Sequence, residues 1–129
     1  MSLDEFFTDN AAKAWGWGVV DCSLALADWA IAKGHPDPAL AWRGAYSDEL
    51  GWKRIVIARG GLLPLVNDAC SRAGFTMTET IATGAVGVIG SQHNIERQWG
   101  AIYDGAQWMV RDSAGFAPIT ARPLGMWLL

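Results

Sequence analysis

The sequence predicts a single α+β domain with a helical first half and an antiparallel sheet in its second half. Three observations lead there. A chain of 129 residues fits one domain, and at that size folding buries roughly 65–70 % of the surface the unfolded chain exposes. Apolar residues make up 51 % and charged residues 18 %, a balance that excludes a disordered chain. Helical spacing and capping signals end near Gly74, and short apolar runs with turn signals replace them from Phe75 onward. Helices and strands are thus segregated rather than alternating.

Taken in order, Leu3 to Phe7 reads as a short amphipathic helix. The Gly- and Trp-rich stretch Ala14-Trp15-Gly16-Trp17-Gly18 reads as irregular backbone with close approaches. Asp21 is a good N-cap for a helix that runs to Lys33, with Cys22, Leu26, Trp29 and Lys33 on one side and Gly34 as its stop. Gly34-His35-Pro36-Asp37-Pro38 is a turn by composition. Ser47 is expected to cap a second helix, with Asp48 and Glu49 in its first turn and its end near Gly60-Gly61. A third helix runs from Leu62 to Ala73; Pro64 is tolerated in its first turn and Gly74 closes it. Then Ala85 to Ile89 and Trp99 to Tyr103 read as strands, the turn Asp104-Gly105 marks a hairpin, and Trp108-Met109-Val110 is the returning strand. The apolar tail Leu124 to Leu129 adds a last strand, for three or four in all.

Composition narrows the function classes. The net charge is −3 with no run of Lys or Arg, which argues against nucleic acid as a partner. No apolar run approaches the roughly 20 residues that span a bilayer, so membrane insertion is not expected. The acidic start Met1-Ser2-Leu3-Asp4-Glu5 lacks the basic region of a secretory signal, and synthesis in the cytoplasm without a signal peptide is the expectation. Cys22 and Cys70 belong to no CxxC pair and read as two free thiols. His35 and His93 stand alone, so neither a metal nor a cofactor is expected. Eight tryptophans are several times the usual share. Most should fill the core, and a minority could form a platform for sugar rings or for a partner protein.

The strongest chemical signal is Asp21-Cys22 at the start of a helix. A thiol there lies near unpaired backbone N–H groups and the positive end of the helix dipole, which favour the nucleophilic thiolate. The same N–H groups can bind the oxyanion formed when an acyl carbon is attacked. The alternative is a structural cysteine on the apolar side of its helix. A thiolate enzyme also needs a base, normally a histidine oriented by a third polar group. His93 is the candidate base because it lies between two expected strands; an exposed loop histidine is the alternative. Asp112 or Arg111, past the hairpin, is placed to orient it, with plain surface charge as the other reading.

The segment Trp15-Gly16-Trp17-Gly18-Val19-Val20-Asp21-Cys22-Ser23 resembles the nucleophile segment of the NlpC-type papain-like cell-wall peptidases. The closer likeness is to a branch found among phage and prophage tail genes. It extends through Ala27-Asp28-Trp29, Gly34-His35-Pro36-Asp37-Pro38-Ala39, Trp42-Arg43-Gly44, Tyr46, Gly60-Gly61-Leu62, the strand from Gly84 to Val88, and Trp127. The resemblance implies a papain-like fold in which N-terminal helices pack on a small antiparallel sheet and Cys22 matches the nucleophile. It also implies a place in a virion tail tip, with other tail-tip proteins and peptidoglycan as partners. Active members hydrolyse amides in the stem peptide of peptidoglycan, typically beside a γ-D-glutamyl link. They usually carry histidine at the start of the second core strand. The matching stretch here is Gln98-Trp99-Gly100-Ala101-Ile102-Tyr103, so Gln98 or Trp99 stands in that place. Losing the base costs a factor of about 10²–10⁴ in rate.

Three readings follow. The first is a cysteine peptidase or amidase with Cys22 as nucleophile, His93 as displaced base and Asp112 as orienting residue. The second is a catalytically silent structural or assembly subunit of a tail. The third is a module that binds cell-wall sugars through Trp15, Trp17 or Trp99.

Overall fold

The computed structural model describes residues 1–129. Four helices come first: α1 (Leu3–Ala11), α2 (Leu24–Ala32), α3 (Glu49–Ala58) and α4 (Leu62–Ala73). Six strands follow: β1 (Thr76–Met77), β2 (Val86–Gly90), β3 (Gln98–Tyr103), β4 (Trp108–Asp112), β5 (Gly115–Pro118) and β6 (Pro123–Leu128). They form one antiparallel sheet in the order β1-β6-β2-β3-β4-β5. The chain is an α+β protein, as its segregated patterning predicts.

Local chemistry sets most helix ends. The Ser2 side chain accepts from the Glu5 N–H and caps α1. The α3 cap is Asp48, which accepts from the Gly51 N–H, and not Ser47 as expected one residue earlier. Gly74 closes α4 in the left-handed region at φ 78°, where a side chain would be strained. Helix α2 starts at Leu24, two residues later than the sequence suggests, so Cys22 precedes the helix.

The sheet is larger than the three or four strands expected. β5 turns back on β4 through the pair Asp112↔Gly115, and β1 is a two-residue edge that pairs with β6. Neither carries the β-branched alternation that marks a strand in sequence.

The main core lies between the helices and the sheet. Phe6, Leu26, Trp29, Val66, Ile102 and Trp127 belong to it, and all are buried. A smaller cluster gathers Ile89, Ala101, Trp108, Val110 and Met126. Helix α2 lies close against β3 at Gly100. A Cβ there would stand 3.0 Å from Leu26 Cδ1 and 3.3 Å from the Cys22 carbonyl oxygen. The missing side chain is what lets the start of α2 settle onto the sheet.

A chain of polar contacts ties these layers together. Arg111 on β4 donates to Asn10 Oδ1 and to the carbonyls of Asn10 and Lys13. Asn10 in turn donates to Asp28 at 3.1 Å, and Arg43 bridges Asp28 at 2.8 Å and Asp37 at 2.6 Å. Arg111 is 2 % exposed, so the surface-charge reading of this residue is corrected. A buried guanidinium persists because its donors are paired.

Candidate functional site

The site grows from the loop that enters α2. The backbone doubles back between Gly16 and Val20, which exchange both hydrogen bonds. Gly18 sits at the tip with φ 82°, and a Cβ there would collide with the Tyr46 carbonyl oxygen. The Gly44 N–H donates to the Gly18 carbonyl, clamping the loop beneath the 42–46 segment.

Asp21 organises everything around it. It is fully buried and accepts four hydrogen bonds. Oδ1 takes the N–H groups of Ser23 and Leu24 at 3.0 and 2.9 Å. Oδ2 takes the Gly18 N–H at 2.9 Å and the Tyr46 hydroxyl at 2.6 Å. Two of the helix-start amides that an oxyanion would need are therefore already paired with a carboxylate. The Cys22 N–H donates to no backbone carbonyl of the chain.

Cys22 itself is half-buried and packs, with Trp99, against the smaller apolar cluster. The polar side-chain atom in reach of its sulfur is Ser23 Oγ at 3.9 Å. Burial, and next the Asp21 carboxylate beside it, push the thiol from its ordinary 9.0 up to about 12. These effects outweigh the hydrogen bonds that favour the thiolate, so Cys22 is a protonated thiol at neutral pH. Burial alone lifts Cys70, which lies in the core against α4's neighbours, to about 12 as well.

The other expected catalytic residues are not assembled around this sulfur. His93 lies on an exposed loop, where its ring meets Gln92 at 3.3 Å. Asp112 is exposed and accepts from the Ala114 N–H in its own turn. Gln98 begins β3 on the same face as Gly100, yet its amide donates to the Ser91 carbonyl at 2.9 Å. Its Oε1 points towards Gly61 at the start of α4 and has no partner. Neither Gln98 nor Trp99 supplies a base.

The aromatic residues converge better. Ser23 Oγ accepts from Trp52 Nε1 at 2.9 Å. The Trp52 ring lies 5.6 Å from that of Trp17, and Trp17 lies 5.3 Å from Trp15 in an edge-on pair. Arg111 stands over Trp15 at 6.0 Å. Trp15, Trp17 and Trp52 thus form a half-buried aromatic strip that reaches Ser23, the neighbour of Cys22. The sequence does not place Trp52 or Tyr46 at the site. Trp52 is signalled only by the abundance of aromatic residues, and Tyr46 only as one of the residues that carry the resemblance; neither signal says which side chains meet.

A family model described as a domain of unknown function (DUF6950) matches residues 1–124. Comparison with curated proteins finds no match, and comparison with solved structures finds none. The match runs over nearly the whole domain, from before α1 into β6, and the chain belongs to the DUF6950 family.

Proposed function

We propose that this chain is a catalytically silent relative of the NlpC-type papain-like peptidases, serving as a structural or assembly subunit of a phage or prophage tail. The observation that carries the reading is the state of Cys22: a thiol raised to about 12, with no imidazole bonded to its sulfur. A nucleophile of that kind is almost wholly protonated at neutral pH and has no group to take its proton.

The residues that carry the family resemblance support the same reading, because they build the frame. Asp21 and Tyr46 lock the loop before α2, and Arg43 joins Asp28 to Asp37. Trp29 Nε1 donates to the Gly84 carbonyl at 2.9 Å. No helix is long and apolar enough to cross a membrane. In a tail subunit the strip of Trp15, Trp17 and Trp52 is the surface that a neighbouring tail protein would cover.

Iodoacetamide labelling separates the readings. At pH 8 a thiol of pKa about 12 holds roughly a thousandth of the thiolate of an ordinary cysteine. Cys22 and Cys70 are both expected to label slowly, the protein to release no peptide from peptidoglycan, and the chain to sediment with tail particles. Fast labelling of Cys22 alone below pH 8, together with amide cleavage in stem peptides, would establish the hydrolase instead.

A further inference from the structure

We propose that the cavity between α2, α3, α4 and the 38–46 segment is a binding site for a small uncharged aliphatic group of about five carbons. It does not rest on the tail reading. The cavity measures about 70 Å³. At roughly 10–15 Å³ of such volume per water-sized group, that is room for about five heavy atoms.

The chemistry of the wall selects the occupant. Apart from Ser23 and Pro38, every lining residue is hydrophobic. Its floor is the core side of α4 and β2, at Leu62, Val66, Cys70 and Val86, all buried. Trp42 and Ile55, which also line it, are half-buried. A trapped water needs two to four polar partners. Here Ser23 and Tyr46 are the only lining side chains with a hydroxyl, and each already commits one bond, Ser23 Oγ accepting from Trp52 Nε1 and the Tyr46 hydroxyl donating to Asp21, so water filling the space would find few partners. No acidic or basic side chain lines the space, so a charged ligand would lose its hydration and gain no partner. An alkyl group loses nothing comparable on entry and leaves water behind.

The full chain, labelled with ¹³C at its methyl groups, would be titrated with cyclopentane and, separately, with pentanoate at the same concentration. Saturable shifts confined to Ile55, Leu65 and Val66 are expected with cyclopentane and none with pentanoate. Ala69→Leu places a larger side chain in the cavity and should weaken cyclopentane binding at least tenfold without lowering the melting temperature. Ala39→Leu, on another wall, carries the same expectation if the α4 variant does not fold. Absence of shifts up to the solubility of cyclopentane would overturn the site. So would equal shifts with pentanoate, or undiminished binding by the filled variant.

Discussion

Replacing Asp21 by alanine removes one group that serves four donors, which makes it the most informative perturbation of this fold. The N–H groups of Ser23 and Leu24 would lose the acceptor that starts α2. Loss of such a cap costs about 0.5–2 kcal/mol. The Gly18 N–H and the Tyr46 hydroxyl would be left unpaired under the 42–46 segment. Each buried orphan costs about 1–3 kcal/mol, while relief from holding a buried carboxylate returns part of that. The balance is a loss of about 4 kcal/mol, or about 15 °C in melting temperature for a domain of this size. Asp21→Asn keeps one oxygen for the helix amides, and the Tyr46 hydroxyl can turn to accept from the new amide; about 2 kcal/mol is expected. Tyr46→Phe removes a single donor and should cost about 1 kcal/mol. Urea unfolding followed by tryptophan fluorescence reads all three, with midpoints falling in that order and slopes unchanged. An Asp21→Ala protein within about 1 kcal/mol of the parent, or no weaker than Tyr46→Phe, would refute the role given to this carboxylate.

Other perturbations test separate parts of the account. Above pH 9 the unfolded chain ionises Cys22 and Cys70, while the folded chain keeps both protons until about pH 12. Stability should therefore fall as pH rises through that window, by up to about 1.4 kcal/mol per pH unit for each thiol. Urea midpoints between pH 8 and 11 measure this slope, and Cys70→Ala should flatten it. Gly18→Ala drives a Cβ into the Tyr46 carbonyl at φ 82° and should cost at least about 3 kcal/mol in thermal melts followed by circular dichroism. Gly34→Ala meets the same unfavourable backbone region, φ 94°, with nothing within 4 Å, and should cost only about 1 kcal/mol. Burial works to raise the Asp37 carboxyl, but the Arg43 guanidinium and the Ala39 N–H outweigh it and hold the group below its ordinary 3.8. That contribution is full above pH 3.8 and lost as pH falls through the lowered value. Arg43→Ala should therefore move acid unfolding, followed by fluorescence, to higher pH.

What could be read from the sequence was what a few neighbouring residues decide. Pro64 in the first turn and Gly74 after the last fix α4 without help from the rest of the chain. Asp104-Gly105 fixes the hairpin of β3 and β4 in the same way, with Asp104 accepting from the N–H groups of Ala106 and Gln107. β5 and β1 were not legible, because Phe116 and Thr76 are strand residues only by virtue of the partners Arg111 and Leu128. Arg111 looked like surface charge because its partner Asn10 lies 101 positions away, in α1. The raised state of the Cys22 thiol was not legible for a related reason: the dipole of α2 is a local quantity, whereas burial is a property of the whole fold.

The Asp-Cys pair at a helix entrance is therefore a weaker chemical sign than it looks. Its carboxylate is needed wherever a chain turns sharply from a loop like 16–20 into a buried helix, since the N–H groups of Ser23 and Leu24 must be paired whatever the neighbouring side chain does. That same carboxylate works against a thiolate one residue away, and it uses donors an oxyanion would want. Chemistry at such a site has to come from a third group that overcomes both effects, an imidazole held against the sulfur. In this chain β3, which packs on the start of α2, presents Gln98, turned to Ser91, and Gly100, whose lack of a side chain lets the helix come close. Close packing of α2 on β3 and a base between them compete for the same space, and here packing holds it.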